Sequence, residues 1–452
     1  MKKFSALLTL LALFALSFST SLAQDTVTLT WFVGLGTGGS PEQREVQEQV
    51  VADWNEANPD IQVEIIIVDN NVAVETLATL IATNEAPDIV GPVGNAGSAA
   101  FAGNFLDIEP HLDSLGYDAY SEFPAEAVDF YRTNEGLIGL PLANFPAFIF
   151  YRPALFDEAG LEYPPGEYGA PYMLDGEEVE WNVDTLTEIS QILTVDENGF
   201  DATEEEFDAS AIIQWGFVNQ WAGAGAMRQN ATMFGAGSVI DDEGNAVMPD
   251  NWRIAFQWFH DAQWETNIMP NAAQEGSDLL AAGNPFASGN VAMAQSHLWY
   301  TCCLEDTEWD AAAMPSYDGV ITARLHADTF RVLNSTDNPT AAVEFLTYLV
   351  GESSLDLLGV YGGMPARPDD QQAFFDDLDE KYTQGVNWDV VRASLNYPDV
   401  PSHEEPLPNN NQANDRLDSF LSLLRSEPGI DVQAEIDALL ADLQIIFDEA
   451  NN

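Results

Sequence analysis

Two hydrophobic periods alternate along the first part of this chain. Val27-Thr-Leu-Thr-Trp-Phe-Val33 is rich in β-branched and aromatic residues and predicts a strand. Ser40-Pro41 supplies an N-cap and a proline at the first helical position, and Gln43 completes a capping box. Val46, Val50 and Trp54 then recur at four-residue spacing, one face of a helix ending near Asn58-Pro59. Ile61–Val68 is nearly all apolar, which predicts a strand buried on both faces. A second helix around Leu77, Leu80 and Ile81 leads to a short third strand at Pro87–Val90. The βαβαβ order predicts an α/β lobe with a mainly parallel sheet.

The pattern changes in Leu137–Gly160. One apolar run contains Pro141, a polar break falls at Asn144, Pro146 follows, and a second run, Ala147–Tyr151, leads to a short helix stopping at Gly160. Prolines are tolerated at strand starts, edges and bulges. Two apolar runs joined in this way predict one strand that leaves one sheet and enters another. Asn144 and Phe145 would then face the space between two bodies.

Further on, Leu174-Asp-Gly-Glu177 predicts a surface hairpin. Helices are expected at Asp184–Leu193, Asn251–Trp264 and Ala341–Val350, and a strand at Ile212–Val218. Val320–Leu333 is expected to be a second crossing strand. Val432, Ile436, Leu439, Leu440, Leu443 and Phe447 share one face of a final helix. No internal repeat is present.

Several segments, in order, carry a resemblance. Gly136-Leu-Ile-Gly-Leu-Pro141 with Tyr151-Arg-Pro-Ala-Leu-Phe-Asp-Glu-Ala-Gly-Leu161 is similar to the hinge segment of family 1 extracellular solute-binding proteins, the maltose-binding-protein-like sugar-capturing partners of ABC importers. Phe105–Leu112, Phe286–Ala294 and Gly362-Gly-Met-Pro-Ala-Arg367 resemble further segments of that family, with Asn290 replacing its usual lysine. The resemblance implies an α/β, two-lobed periplasmic-binding-protein-like fold with hinge crossovers and a ligand cleft between the lobes. It implies lobe one at 25–145 and 322–350, and lobe two at 146–321 and 351–452. The implied function is capture of a mono- or oligosaccharide by hinge closure and delivery to an ABC transporter membrane permease, without a cofactor or catalysis, by a monomer.

A sugar site needs aromatic platforms and amide or carboxylate hydrogen-bonders. In α/β folds, ligands gather at the carboxyl ends of strands. That rule selects Gly36, Asp69 and Asn95 in lobe one, Asn144 and Phe145 at the hinge, and Asn219, Gln220 and Trp221 in lobe two. The resemblance adds Trp299 or Tyr300 as platform, and Gly363. For Trp221 and Trp299 burial in the core is the competing fate, and Arg367 is expected in a salt bridge.

Composition narrows the partners. The chain has 452 residues, too many for one core, so at least two domains are expected. Lys2 and Lys3, the apolar run Leu7–Phe18 and Ser21-Leu-Ala23 form an export signal over residues 1–23. With no cysteine just after the cleavage site, a lipid anchor is not expected. No later run is long enough to span a bilayer. An exported, soluble protein, periplasmic or extracellular, is expected. The net charge is −60, from 74 acidic against 14 basic side chains. Such a chain repels nucleic acid and anionic membranes, and disfavours polyanionic ligands. It suits a salty or an acidic exterior. The two cysteines, Cys302 and Cys303, are neighbours. Adjacent Cα atoms lie about 3.8 Å apart, below the usual disulfide range of about 4.4–6.8 Å, so a strained disulfide and two thiols are both open.

Other chemistries have weaker support. Gly34-Leu-Gly36-Thr-Gly-Gly39 with Asp69 approximates a dinucleotide fingerprint, but the acidic residue lies beyond the usual spacing. A secreted carbohydrate hydrolase would need two placed carboxylates, and none is marked; no nucleophile elbow or H-x-x-x-H occurs. A binding protein for a polyol or polyamine is the other alternative. Asp196–Asp201 departs from calcium-loop spacing and reads as an Asx turn, so no metal is expected.

Overall fold

The computed structural model describes residues 26–450 apart from 134, 222–225 and 305–307. The export signal lies outside the described residues. Its first elements are β1 (Val27–Val33), α1 (Pro41–Ala57), β2 (Ile61–Ile67), α2 (Asn70–Ala82) and β3 (Ile89–Val93). Next come β4 (Leu140–Tyr151), α3 (Val183–Ile192), β5 (Val195–Asp196), β6 (Ile212–Asn219) and α4 (Asp250–Trp264). After these lie β7 (Val291–His297), β8 (Asp310–Ala312), β9 (Leu325–Val332), α5 (Pro339–Leu349) and α6 (Ser354–Tyr361). The chain ends with β10 (Met364–Pro365), α7 (Gln371–Lys381), α8 (Trp388–Ser394), α9 (Asn410–Ser426) and α10 (Val432–Ala450).

The strands follow the order β2-β1-β3-β9-β4-β7-β6-β5, with β8 and β10 also paired to β4. β4 is the organising strand. Its first half pairs antiparallel with β9, Ala143 opposite Asp328 and Pro146 opposite Leu325. Its second half pairs antiparallel with β7, Ala147 opposite His297 and Tyr151 opposite Met293. One continuous strand thus serves two sheets, as the broken apolar run predicted. Pro141 sits beside a register shift between Asp328 and Thr329, where one fewer N–H is needed.

The first lobe is built as expected. β1 pairs parallel with β2 and β3. Ser40 and Gln43 form the capping box that starts α1. Successive residues of β1 point to opposite faces, so Trp31 enters one core and Phe32 the other, each fully buried. The second lobe has its own core, where Phe256 of α4 meets Phe420 of α9 edge to face at 5.4 Å.

Two details differ from expectation. β2 is not buried on both faces: only Val63 is fully covered and Ile66 is 36% exposed. The physical reason is position, since β2 is an edge strand with no neighbour beyond it. The second crossing strand begins at Leu325, because Val320–Ile321 turns back on Ser316–Tyr317 as a hairpin. The helix α6 packs beside α1, with Tyr361 Oη donating to Gln47 Oε1 at 2.8 Å. Among the described residues, no helix is long and apolar enough to cross a membrane.

Candidate functional site

Where β4 and β9 join the lobes, a cleft of about 530 Å³ opens. Loops at the carboxyl ends of β1 and β3 contribute Gly36, Thr37 and Gly94. Asn70, at the start of α2, fixes the first loop by donating Nδ2 to the carbonyls of Gly34 and Gly36 at 3.0 and 3.2 Å. The crossing strands contribute Phe145, His326 and Asp328. The far wall comes from Gln229, from His297 at the end of β7 and Trp299 just after it, from Glu404, and from Asn410, Asn411 and Asn414 at the start of α9.

The floor is ionic. His326 stands between two carboxylates: Nδ1 contacts Glu404 Oε1, and Nε2 lies 2.9 Å from Asp328 Oδ1. Burial alone would lower the His326 pKa, but the Glu404 and Asp328 charges outweigh it and hold the imidazolium well above the ordinary value. For Glu404 burial pushes the other way and is again overcome, chiefly by His326, which holds the carboxyl at about 2. Behind them, His403 Nδ1 meets Asp399 Oδ2 at 2.6 Å, and Asp399 Oδ1 accepts from the Leu325 amide at 2.9 Å. His297 differs: burial, then the charges of Arg324, His326 and His403, drive its pKa well below the ordinary value, so it is neutral. Gly94 makes room for His326, since a Cβ there would lie 2.4 Å from the ring's Cε1.

The residues selected from sequence divide into two sets. Gly36, Phe145 and Trp299 line the cleft together, with Cys302 beside Trp299. Trp299 is half-buried and stacks on the His297 ring at 5.6 Å. The others lie elsewhere. Asp69 is 81% exposed and pairs with Arg44 at 3.4 Å. Asn95 Oδ1 accepts from Arg331 Nη2 at 2.7 Å, and Asn144 sits within β4 opposite Ala327 and Met364. Gln220 is buried, donating to Asn284 and accepting from the Phe286 amide. Tyr300 is fully buried against Phe150, with its hydroxyl on Asn284. Gly363 lies under Phe145, whose Cζ would be 2.7 Å from an added Cβ.

Asn219 and Trp221 share a separate hollow of about 110 Å³. Trp221 is 40% exposed and donates Nε1 to the Gly283 carbonyl. Cys302 and Cys303 are present as thiols, their sulfurs 2.7 Å apart. Arg367 pairs with Glu122 at 3.1 Å. The Asp196 carboxylate accepts from the amides of Asn198, Phe200 and Asp208, the arrangement of an Asx turn.

The lining residues that sequence reasoning missed include His297, His326, Asp328, Glu404, the three asparagines of α9, Gln43, Asn70 and Gln229. One signal was available: His326 and Asp328 are two apart on a strand, hence on one face, inside a run otherwise fit for burial.

Two α/β lobes, strands crossing between them and a cleft at the crossing define a two-lobed, hinged binding protein. A family model described as bacterial extracellular solute-binding protein matches residues 37–354, and the chain belongs to that family. Solved structures share the fold. An ABC substrate-binding protein from Listeria monocytogenes, in complex with cycloalternan, is 18% identical, with a TM-score of 0.69 over 94% of this chain and 99% of that one. A solute-binding protein from Thermotoga lettingae, bound with α-D-tagatose, is 19% identical, with a TM-score of 0.68 over 93% and 100%. The Thermus thermophilus maltotriose-binding protein, bound with maltotriose, is 17% identical, with a TM-score of 0.63 over 94% and 100%. No curated protein sequence matches this chain.

Proposed function

We propose that this protein captures a carbohydrate in the cleft by closing its lobes on it, and delivers it to an ABC importer. The observation that carries the reading is the half-buried Trp299 beside a lining rich in amides, with Gln43, Asn70, Gln229, Asn410, Asn411 and Asn414 all on the cleft. A flat indole face suits the apolar face of a sugar ring, and amides can both donate to and accept from hydroxyls. The cleft volume lies in the usual range for small-molecule sites. The carbohydrates bound by the structural neighbours support the same class. Binding would shift an open–closed equilibrium, and the transporter would read the closed form.

The remaining parts of the reading rest on sequence. Residues 1–23 direct export, and the mature chain acts as a soluble monomer without lipid anchor, catalysis or affinity for nucleic acid. We divide the lobes at the crossings β4 and β9 and place α6 with the first lobe, on the strength of the Tyr361–Gln47 bond. A thermal-shift screen of the mature protein in high salt tests the solute class, using sugars, polyols, amino acids and polyamines. A ligand at 100 times its Kd stabilises the native state by about 2.7 kcal/mol. Hits among sugars are expected. Hits confined to amino acids or polyamines would refute the carbohydrate, and consumption of a bound sugar would show a hydrolase.

A further inference from the structure

Two residues lining the cleft carry buried polar atoms without partners among the described residues, and the two atoms have opposite hydrogen-bonding character. His297 and Glu404 both line the cleft and are both 2% exposed. Arg324 donates Nε–H to His297 Nε2 at 3.3 Å, so Nε2 is the acceptor of a neutral ring. The ring's single proton is therefore on Nδ1, and Nδ1 has no partner among the described residues. Glu404 commits Oε1 to His326, while its Oε2 has no partner among the described residues. The two atoms belong to one neighbourhood, since the His297 and His326 rings are 5.9 Å apart and Glu404 holds His326. Buried polar groups are rarely left orphaned, and one donor beside one acceptor invites a partner able to satisfy both.

We propose that His297 and Glu404 read two hydroxyls of an uncharged sugar ring that rests on Trp299. One hydroxyl oxygen accepts from His297 Nδ1–H, and another hydroxyl donates to Glu404 Oε2. This deepens the carbohydrate reading and rests on it. Trp299 stacks on the His297 ring at 5.6 Å, so the platform and the donor belong to one wall of the cleft. Acidic sugars are selected against, because among the described residues no lysine or arginine lines the cleft and His326 gives both nitrogens to carboxylates.

The test is calorimetric titration of the mature protein with neutral oligosaccharides, their uronic-acid counterparts and their O-methylated forms. Neutral members are expected to bind, with the uronic-acid forms at least about 10-fold weaker. His297→Phe and Glu404→Gln should each weaken the neutral ligand by about 10- to 100-fold, the range for a hydrogen bond to a charged or otherwise orphaned group. Methylation of the hydroxyl read by Glu404 should cost as much on the native protein and little more on Glu404→Gln. If Glu404→Gln does not fold, the methylated series on the native protein carries the test alone. Unchanged affinity in the variants and in the methylated series would overturn the proposal, as would equal binding of an acidic sugar. A panel with no binding at all would overturn the carbohydrate reading itself, which is a different outcome.

Discussion

Replacing His326 with Asn removes the one positive charge between Glu404 and Asp328. The cost follows from burial: the Glu404 and Asp328 side chains are 1% and 6% exposed, so little water replaces the lost partner. Breaking a buried pair by deleting one member costs about 3–5 kcal/mol. The pH dependence has a defined sign. His326 has a raised folded pKa, so its stabilisation is fully present below the unfolded value of about 6.5 and is lost as pH rises through the folded value. Glu404 has a lowered folded pKa, so its stabilisation is fully present above about 4.5 and is lost as pH falls toward about 2. The difference between native and His326→Asn should therefore be widest between about pH 4.5 and 6.5 and narrow on both sides. Guanidinium unfolding of both proteins across pH 3–9 measures it, and subtraction removes the titration of the other carboxylates. A difference below about 1 kcal/mol, or one flat with pH, would refute the reasoning.

Three further predictions follow from the same structure. Trp299→Ala should lower carbohydrate affinity by several-fold to about 10-fold, measured by calorimetry, with little change in unfolding midpoint because the ring is only half-buried. Gly94→Ala should destabilise by about 1–3 kcal/mol, since its methyl would meet the His326 ring at 2.4 Å and that ring is held at both nitrogens by carboxylates. A chain of net charge −60 should gain stability as sodium chloride rises from about 0.01 M to 1 M, over which the screening length falls from about 30 Å to 3 Å. An unfolding midpoint indifferent to salt would remove self-repulsion from the account.

The sequence was most legible where local pattern and tertiary position agreed. The capping box at Ser40, the hairpin at Leu174–Glu177 and the amphipathic end helix are local devices, and each formed where expected. The broken apolar run of β4 announced a strand with two sets of partners. The helices at Gln371–Lys381 and Trp388–Ser394 and the long one at Asn410–Ser426 went unread. In the last, amides and charges fill the first turns, and its apolar face shows only from Leu417 onward. Position misled at Ile61–Ile67, where an apolar run occupies an edge.

The cleft divides along the same line. The strand-end rule found Gly36, and the hinge pattern found Phe145. It could not find the ionic floor, because His297, His326 and Glu404 come from three distant segments that meet only when β9 crosses beside β4 and the 399–405 loop folds over it. Rotation along a segment decided the rest. Trp299 and Tyr300 are neighbours in sequence, yet one lines the cleft and the other fills the core.

The claim that a carbohydrate is held between closing lobes is tested most directly by small-angle scattering of the mature protein, with and without a saturating sugar identified by calorimetry. The account predicts a smaller radius of gyration on binding, and for Trp299→Ala the same decrease with its midpoint moved to several-fold to about 10-fold higher sugar concentration. Tight binding with unchanged dimensions in the native protein would contradict capture by closure.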